Sequence, residues 1–203
     1  MAELQKSKAL KNFEKDIKDV KSLKDLASMQ NKSDKEIDHR INAIYRSAFI
    51  LAFTAWETFI YERIKQPWRD SEDCPNAIAL QFYTKEIERE LQQYTTPRAD
   101  RIKNLTIKFW GFDLTKEWST KGKNPEQTSE ELNKIASFRG ELAHNSATAL
   151  RKQQKSLSGP KILDACVKFL EELTLSTEKC LAKHFNKLEK DHIQNKSTSR
   201  HLL

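Results

Sequence analysis

The sequence predicts an all-α fold, a compact bundle of about five to six helices, on the evidence of breakers, periodicity and loops. Only 4 glycines and 5 prolines occur in 203 residues, too few to punctuate a sandwich or barrel with its many tight turns. Apolar residues recur at intervals of three and four along most of the chain, and short polar stretches such as "WSTKGKNPEQ" separate these runs. The length suits one domain with a real core.

The first helix is expected over about residues 3–30. Leu10, Phe13, Ile17 and Val20 form its apolar stripe, and lysines alternate with acids on the other faces, with Glu14 and Lys18 placed to pair. Those lysines read as a solvated face rather than as phosphate contacts. A second helix should be capped by Ser33 or Asp34 and run to Gln66, before Pro67. It carries two stripes: Ile37, Ile41, Ile44, Ala48, Ala52, Ala55 and Phe59 on one, and Arg46, Ile50, Phe53, Glu57, Ile60 and Ile64 on the other. A helix that is apolar on two faces belongs at the centre of the fold. Glu57 then stands where hydrocarbon is the rule.

The loop "QPWRDSEDCPN" leads to a third helix around residues 76–93. In the next segment Ile102, Leu105 and Phe109 keep helical spacing up to a stop at Gly111. The alternation of Leu105, Ile107 and Phe109 also fits a strand, but no partner strands are evident, so a helix is expected. "TSEE" reads as the start of the following helix, with Thr128 as N-cap and Glu131 completing a capping box. Leu132, Ile135, Arg139 and Leu142 share one stripe of that helix, which should end soon after His144. After the basic connector "RKQQK", "SGP" opens a long last helix bearing Ile162, Cys166, Phe169 and Leu173. Residues 194–203 are expected to be a disordered tail.

The charge balance, 36 Lys plus Arg against 29 Asp plus Glu, gives +7, which permits an anionic partner such as RNA without requiring one. Three cysteines, Cys74, Cys166 and Cys180, form no CxxC pair, so neither a disulfide framework nor a zinc site is indicated and a reduced, cytoplasmic setting is expected. His39, His184, His192 and His201 show no metal-ligand spacing. The N-terminal residues are charged throughout and lack the apolar core of a signal peptide. The longest uncharged stretch, Ser47 to Trp56, is about half of the roughly 20 residues a bilayer crossing takes, so no membrane association is expected. Among the tryptophans, Trp56 belongs to the core, and Trp110 and Trp118 are expected to pack the loop-rich side of the bundle rather than to stack bases.

The stretch "SFRGELAH", Ser137 to His144, concentrates the residues that can carry chemistry. Arg139 lies on an apolar stripe and needs a partner when its helix packs, while Glu57 has the complementary need; the two are expected to meet or to face one pocket. His144 lies about 140° around and about 7.5 Å along an ideal helix from Arg139. It sits instead with Ser137, Gly140 and Glu141, at a helix C-terminus that favours the protonated ring and places the histidine to titrate near neutrality. A histidine that moves a proton and an arginine that neutralises a phosphorane are sufficient for RNA cleavage without metal, because the substrate supplies its own 2′-hydroxyl nucleophile. The competing reading is a structural Arg139–Glu57 bridge and a solvated histidine.

"RGELAH", preceded by "AFILAFTAWETFIYE" and by "TPRADRIKNLTIKFWGFD", resembles the RiboL-PSP-HEPN group of the HEPN superfamily over roughly residues 35–185. The resemblance implies a single helical domain over residues 1–193, with its core at about 33–190. It implies a homodimer in which two R-x4-6-H motifs face each other and form a ribonuclease site that needs no metal or other cofactor. The motif residues are then Arg139 and His144, with Glu57 at a supporting acidic position. The products implied are a 2′,3′-cyclic phosphate and a 5′-hydroxyl, and the group suggests a toxin or defence effector restrained by an antitoxin protein. Gly140 departs from the pattern, which often has a polar residue there, frequently asparagine. Asn145 is placed to supply an amide nearby, and Arg151, Lys152 and Lys155 are the expected phosphate contacts. The alternative is a non-catalytic helical module that binds RNA or a protein partner.

Overall fold

The structure is a computed structural model that describes residues 6–29, 35–69, 77–93, 96–144 and 159–199. Among these residues the architecture is all-α: α1 (Lys8–Ser28), α2 (Lys35–Arg69), α3 (Ala77–Gln92), α4 (Ala99–Trp110), a 3-10 turn (Leu114–Glu117), α5 (Pro125–His144) and α6 (Pro160–Ser199). No helix among them is long and apolar enough to cross a membrane.

α1 starts where Ser7 Oγ accepts the Leu10 N–H at 3.0 Å, which satisfies one of the first-turn donors that have no intrahelical acceptor. Leu10, Phe13, Ile17 and Val20 are buried as the spacing predicts, chiefly against α2. The lysine face behaves differently from expectation. Glu14 pairs with Lys6 at 2.6 Å, not with Lys18, and Lys21 and Lys24 reach Glu171 and Asp164 of α6 at 2.7 and 2.6 Å. Packing α1 beside α6 offers acids across the interface that helical spacing alone does not reveal.

α2 is the central element, in contact with α1, α3, α5 and α6. Both of its stripes are used: Ala48, Ala52, Ala55 and Phe59 are buried on one, and Phe53, Ile60 and Ile64 on the other. Its N-terminal caps, Ser33 and Asp34, lie outside the described residues. The helix runs through Pro67 to Arg69 instead of stopping at Gln66, since a proline in the last turn forfeits a single intrahelical hydrogen bond. α4 ends as expected on Gly111, whose φ of 74° is the left-handed cap conformation that glycine adopts without strain, and its N–H reaches the Ile107 carbonyl at 3.1 Å. Ile107 is exposed, which settles this segment as helix rather than strand.

Residues 111–124 form the loop-rich side. Trp118 is fully buried and donates its indole N–H to Thr177 Oγ1 at 3.0 Å, while the Ser119 and Lys121 amides donate to Ser176 Oγ and Glu172 Oε2, both at 2.9 Å. Side chains of α6 thus satisfy backbone donors that no regular element satisfies. Trp110 and Phe112 stack nearby at 5.9 Å.

α5 begins one turn earlier than predicted. Pro125 occupies the first helical position, and the reciprocal capping box is formed by Asn124 and Gln127: Asn124 Oδ1 accepts from Gln127 N at 2.9 Å and Gln127 Oε1 accepts from Asn124 N at 3.1 Å. Thr128, expected as the cap, is buried inside the helix with its hydroxyl 3.2 Å from that of Thr120. α6 is also longer than predicted. It continues through Ser199 and so includes residues 194–199 that were expected to be tail, while residues 200–203 lie outside the described residues.

Candidate functional site

Burying Leu132, Ile135 and Leu142 fixes the rotation of α5, and that rotation turns Arg139 inward. The guanidinium is partly buried, and its Nε has no hydrogen-bond partner. Facing it is Glu57 of α2. Burial pushes the Glu57 carboxyl above the ordinary carboxylate range, and the charges of Arg139 and then Arg101 pull it back. Arg139 acts on Glu57 through space, and no ion pair or hydrogen bond joins them among the described residues.

Two further groups complete this cluster. Tyr61, one helical turn beyond Glu57, has a buried hydroxyl without a hydrogen bond of good geometry, and burial raises the phenol to about 12. Arg101 of α4 is buried, lies 5.5 Å over the Tyr61 ring, and donates through Nη2 to the Glu90 and Leu91 carbonyls at 3.1 and 3.3 Å. Those carbonyls belong to the last turn of α3, where intrahelical donors run out. Arg101 thus ties three helices together beside Glu57.

On the other face of α5, Ser137 donates its hydroxyl proton to the Asn133 carbonyl at 2.9 Å and accepts from Arg98 Nη2 at 2.7 Å. Asn133 Oδ1 accepts the Ala99 N–H at 2.9 Å, so α5 caps α4 where Arg98, the N-cap residue, offers no side-chain cap of its own. A Cβ added at Gly140 would meet nothing within 4 Å among the described residues. α5 remains helical through His144, so its backbone stands about 140° around and about 7.5 Å along from Arg139. The His144 side chain, Asn145, Arg151, Lys152 and Lys155 lie outside the described residues.

The structure therefore places Glu57 within the field of Arg139 and sets Tyr61 and Arg101 beside Glu57, and Arg98 on Ser137, four residues without a role assigned from sequence. Two of these had a signal. Tyr61 is at i+4 from Glu57, and Arg101 shares a stripe with Leu105 and Phe109, so the reasoning that marked Arg139 applies to it equally. Among the described residues no group of three or more His, Cys, Asp or Glu is placed to hold a metal ion.

A bundle around one two-faced helix, with an R-x4-H motif on the helix packed against it, defines a HEPN-type module. The RiboL-PSP-HEPN family model matches residues 11–193, and the chain belongs to that family. No curated protein and no solved structure gives a significant match.

Proposed function

We propose that this chain is a HEPN-type endoribonuclease that works in the cytoplasm as a homodimer. The observation that carries the reading is the partly buried Arg139 guanidinium on the motif helix, which acts on the Glu57 carboxyl through its charge without an ion pair between them. A partly buried arginine without a closed ion pair is suited to a ligand anion, and its planar fork matches a phosphate.

In this reading the substrate's 2′-hydroxyl attacks the adjacent phosphorus. Its proton passes to a histidine, the new O–P bond closes the 2′,3′-cyclic phosphate, and the P–O5′ bond breaks with a proton delivered to the 5′-oxygen. Arg139 neutralises the charge that builds on the phosphorane. One His144 cannot take and give a proton at the same instant, so the second comes from another copy of the chain across a two-fold. Glu57 keeps Arg139 oriented without occupying its fork. Asn145, Arg151, Lys152 and Lys155 are assigned to contacts with the RNA, and no metal or other cofactor takes part. The physiological role is that of a toxin or defence effector, with an antitoxin protein as its partner.

The test is to incubate purified protein with mixed RNA in EDTA beside Arg139→Ala and His144→Ala. The wild type should yield cyclic-phosphate and 5′-hydroxyl ends, and each variant should lose on the order of 100-fold in rate. RNA left equally intact by all three proteins would instead support a non-catalytic module that binds RNA or a protein partner. A strict monomer at micromolar concentration would count against the composite site.

A further inference from the structure

Resting on the ribonuclease reading, a second arginine is placed to hold the same RNA strand. Ser137 and His144 are seven residues apart on α5, which puts them within about 20° of one another and about 10 Å apart along the helix axis. Gly140 lies between them with open space where a Cβ would be. The face leading from Ser137 to His144 is therefore open at Gly140, with the exposed Glu141 side chain at its edge, about 40° around from Ser137.

Arg98 stands at the far end of that face. Two hydrogen bonds bear on its position: Asn133 Oδ1 accepts the N–H of the next residue, Ala99, and the exposed guanidinium donates to Ser137 Oγ at 2.7 Å. The Ser137 proton is committed to the Asn133 carbonyl, so the hydroxyl oxygen faces Arg98 purely as an acceptor. This contact uses one of the five guanidinium N–H groups. Among the described residues no carboxylate pairs with Arg98. The other cations that line a cavity with Arg98 are engaged, Lys108 with Glu86 and Glu90 and Arg101 with the Glu90 and Leu91 carbonyls, and farther along α3 Arg89 is bonded to Glu86. That cavity, of about 200 Å³, opens beside Arg98 and is lined with it by Arg101, Thr96 and Asn104 together with two acids, Asp100 and the Lys108-paired Glu90.

We infer that Arg98, anchored by Ser137, binds a backbone phosphate of the RNA strand a few nucleotides from the bond that the Arg139–His144 motif cleaves. An anchored arginine loses little side-chain freedom on binding, which is the condition under which a single exposed cation contributes measurably.

The experiment measures binding of a fully 2′-O-methylated single-stranded oligonucleotide, which lacks the nucleophile, by fluorescence anisotropy over a salt series. Arg98→Ala should weaken binding about tenfold, the size of one charge-assisted contact, and should lower the slope of log K against log salt by about 0.7. Ser137→Ala should weaken binding by a smaller factor and leave the slope intact, because the charge remains. Arg98→Lys should keep the slope and lose part of the affinity. Arg89→Ala, which removes a cation already paired, should change neither, and thermal melting checks that each variant is folded. If the wild type binds and Arg98→Ala binds with the same affinity and slope, the inference fails while the ribonuclease reading stands. A wild type that neither binds this probe nor cleaves unmodified RNA overturns both.

Discussion

Two arginines of this protein are drawn to a glutamate inside the bundle, and the two pairs are built differently. Arg63 of α2 and Glu178 of α6 are nine-tenths buried with Nε to Oε1 at 3.0 Å. Ser7 donates to the same Glu178 oxygen at 2.6 Å while capping α1, and Gln66 accepts from Arg63. Every partner in that network comes from the fold, and the result fastens the start of α1 to α2 and α6. Arg139 and Glu57 are less buried and feel one another's charge without an ion contact between them, although the Nε of each arginine lacks a hydrogen bond of good geometry. The first pair is closed by an ion contact that fastens helices together, whereas the second leaves Arg139 without a carboxylate bound to its guanidinium.

Breaking the closed pair should have the larger effect on stability. Glu178→Ala leaves a buried guanidinium without its carboxylate, and urea denaturation should show a loss of about 3–5 kcal/mol. Arg139→Ala should cost far less in the same measurement while removing the cleavage described above. Equal losses at both sites would erase the distinction between them.

The open pair should also respond to pH in a particular direction. The Glu57 carboxyl is raised in the folded state, so the folded chain binds this proton more tightly than the unfolded chain does. Its effect is stabilising at pH below the ordinary carboxylate value and is lost as pH rises through the raised value. Glu57→Gln, neutral at every pH, should therefore be more stable than the wild type near neutrality, and the two melting curves should converge in acid. A difference between wild type and variant that does not vary between pH 4 and 7 would contradict the assignment.

The smallest effect is expected at Gly140. A Cβ there meets open space, and the residue lies in the interior of a helix, so Gly140→Ala should raise stability by about 0.5–1 kcal/mol through the unfolded chain's lost freedom. A loss of stability in urea would mean that this face of α5 is covered by something.

Much of this was legible in local sequence. The helices are announced by spacing, because an apolar stripe at three and four reports which residues a helix buries whatever it packs against. The same rule exposed Glu57 and Arg139 as charges on stripes that exclude charge. Boundaries were less legible. Thr128 and Asn124 both open a plausible capping box, and the choice fell to Asn124 because Pro125 pre-sets the first turn and the Thr128 hydroxyl is taken by Thr120.

By itself, then, the sequence determined the all-α class, the central place of α2, the inward turn of Arg139 and the R-x4-H spacing, all of which follow from a period that neighbouring residues set among themselves. Only the tertiary structure decided that Arg63 closes on Glu178 while Arg139 stays open beside Glu57, that Arg101 and Tyr61 join that cluster, and that Arg98 is held on Ser137. These outcomes depend on the angles and offsets at which separate helices pack. Ångström differences there decide whether a charge is paired, and helical periodicity carries no record of them.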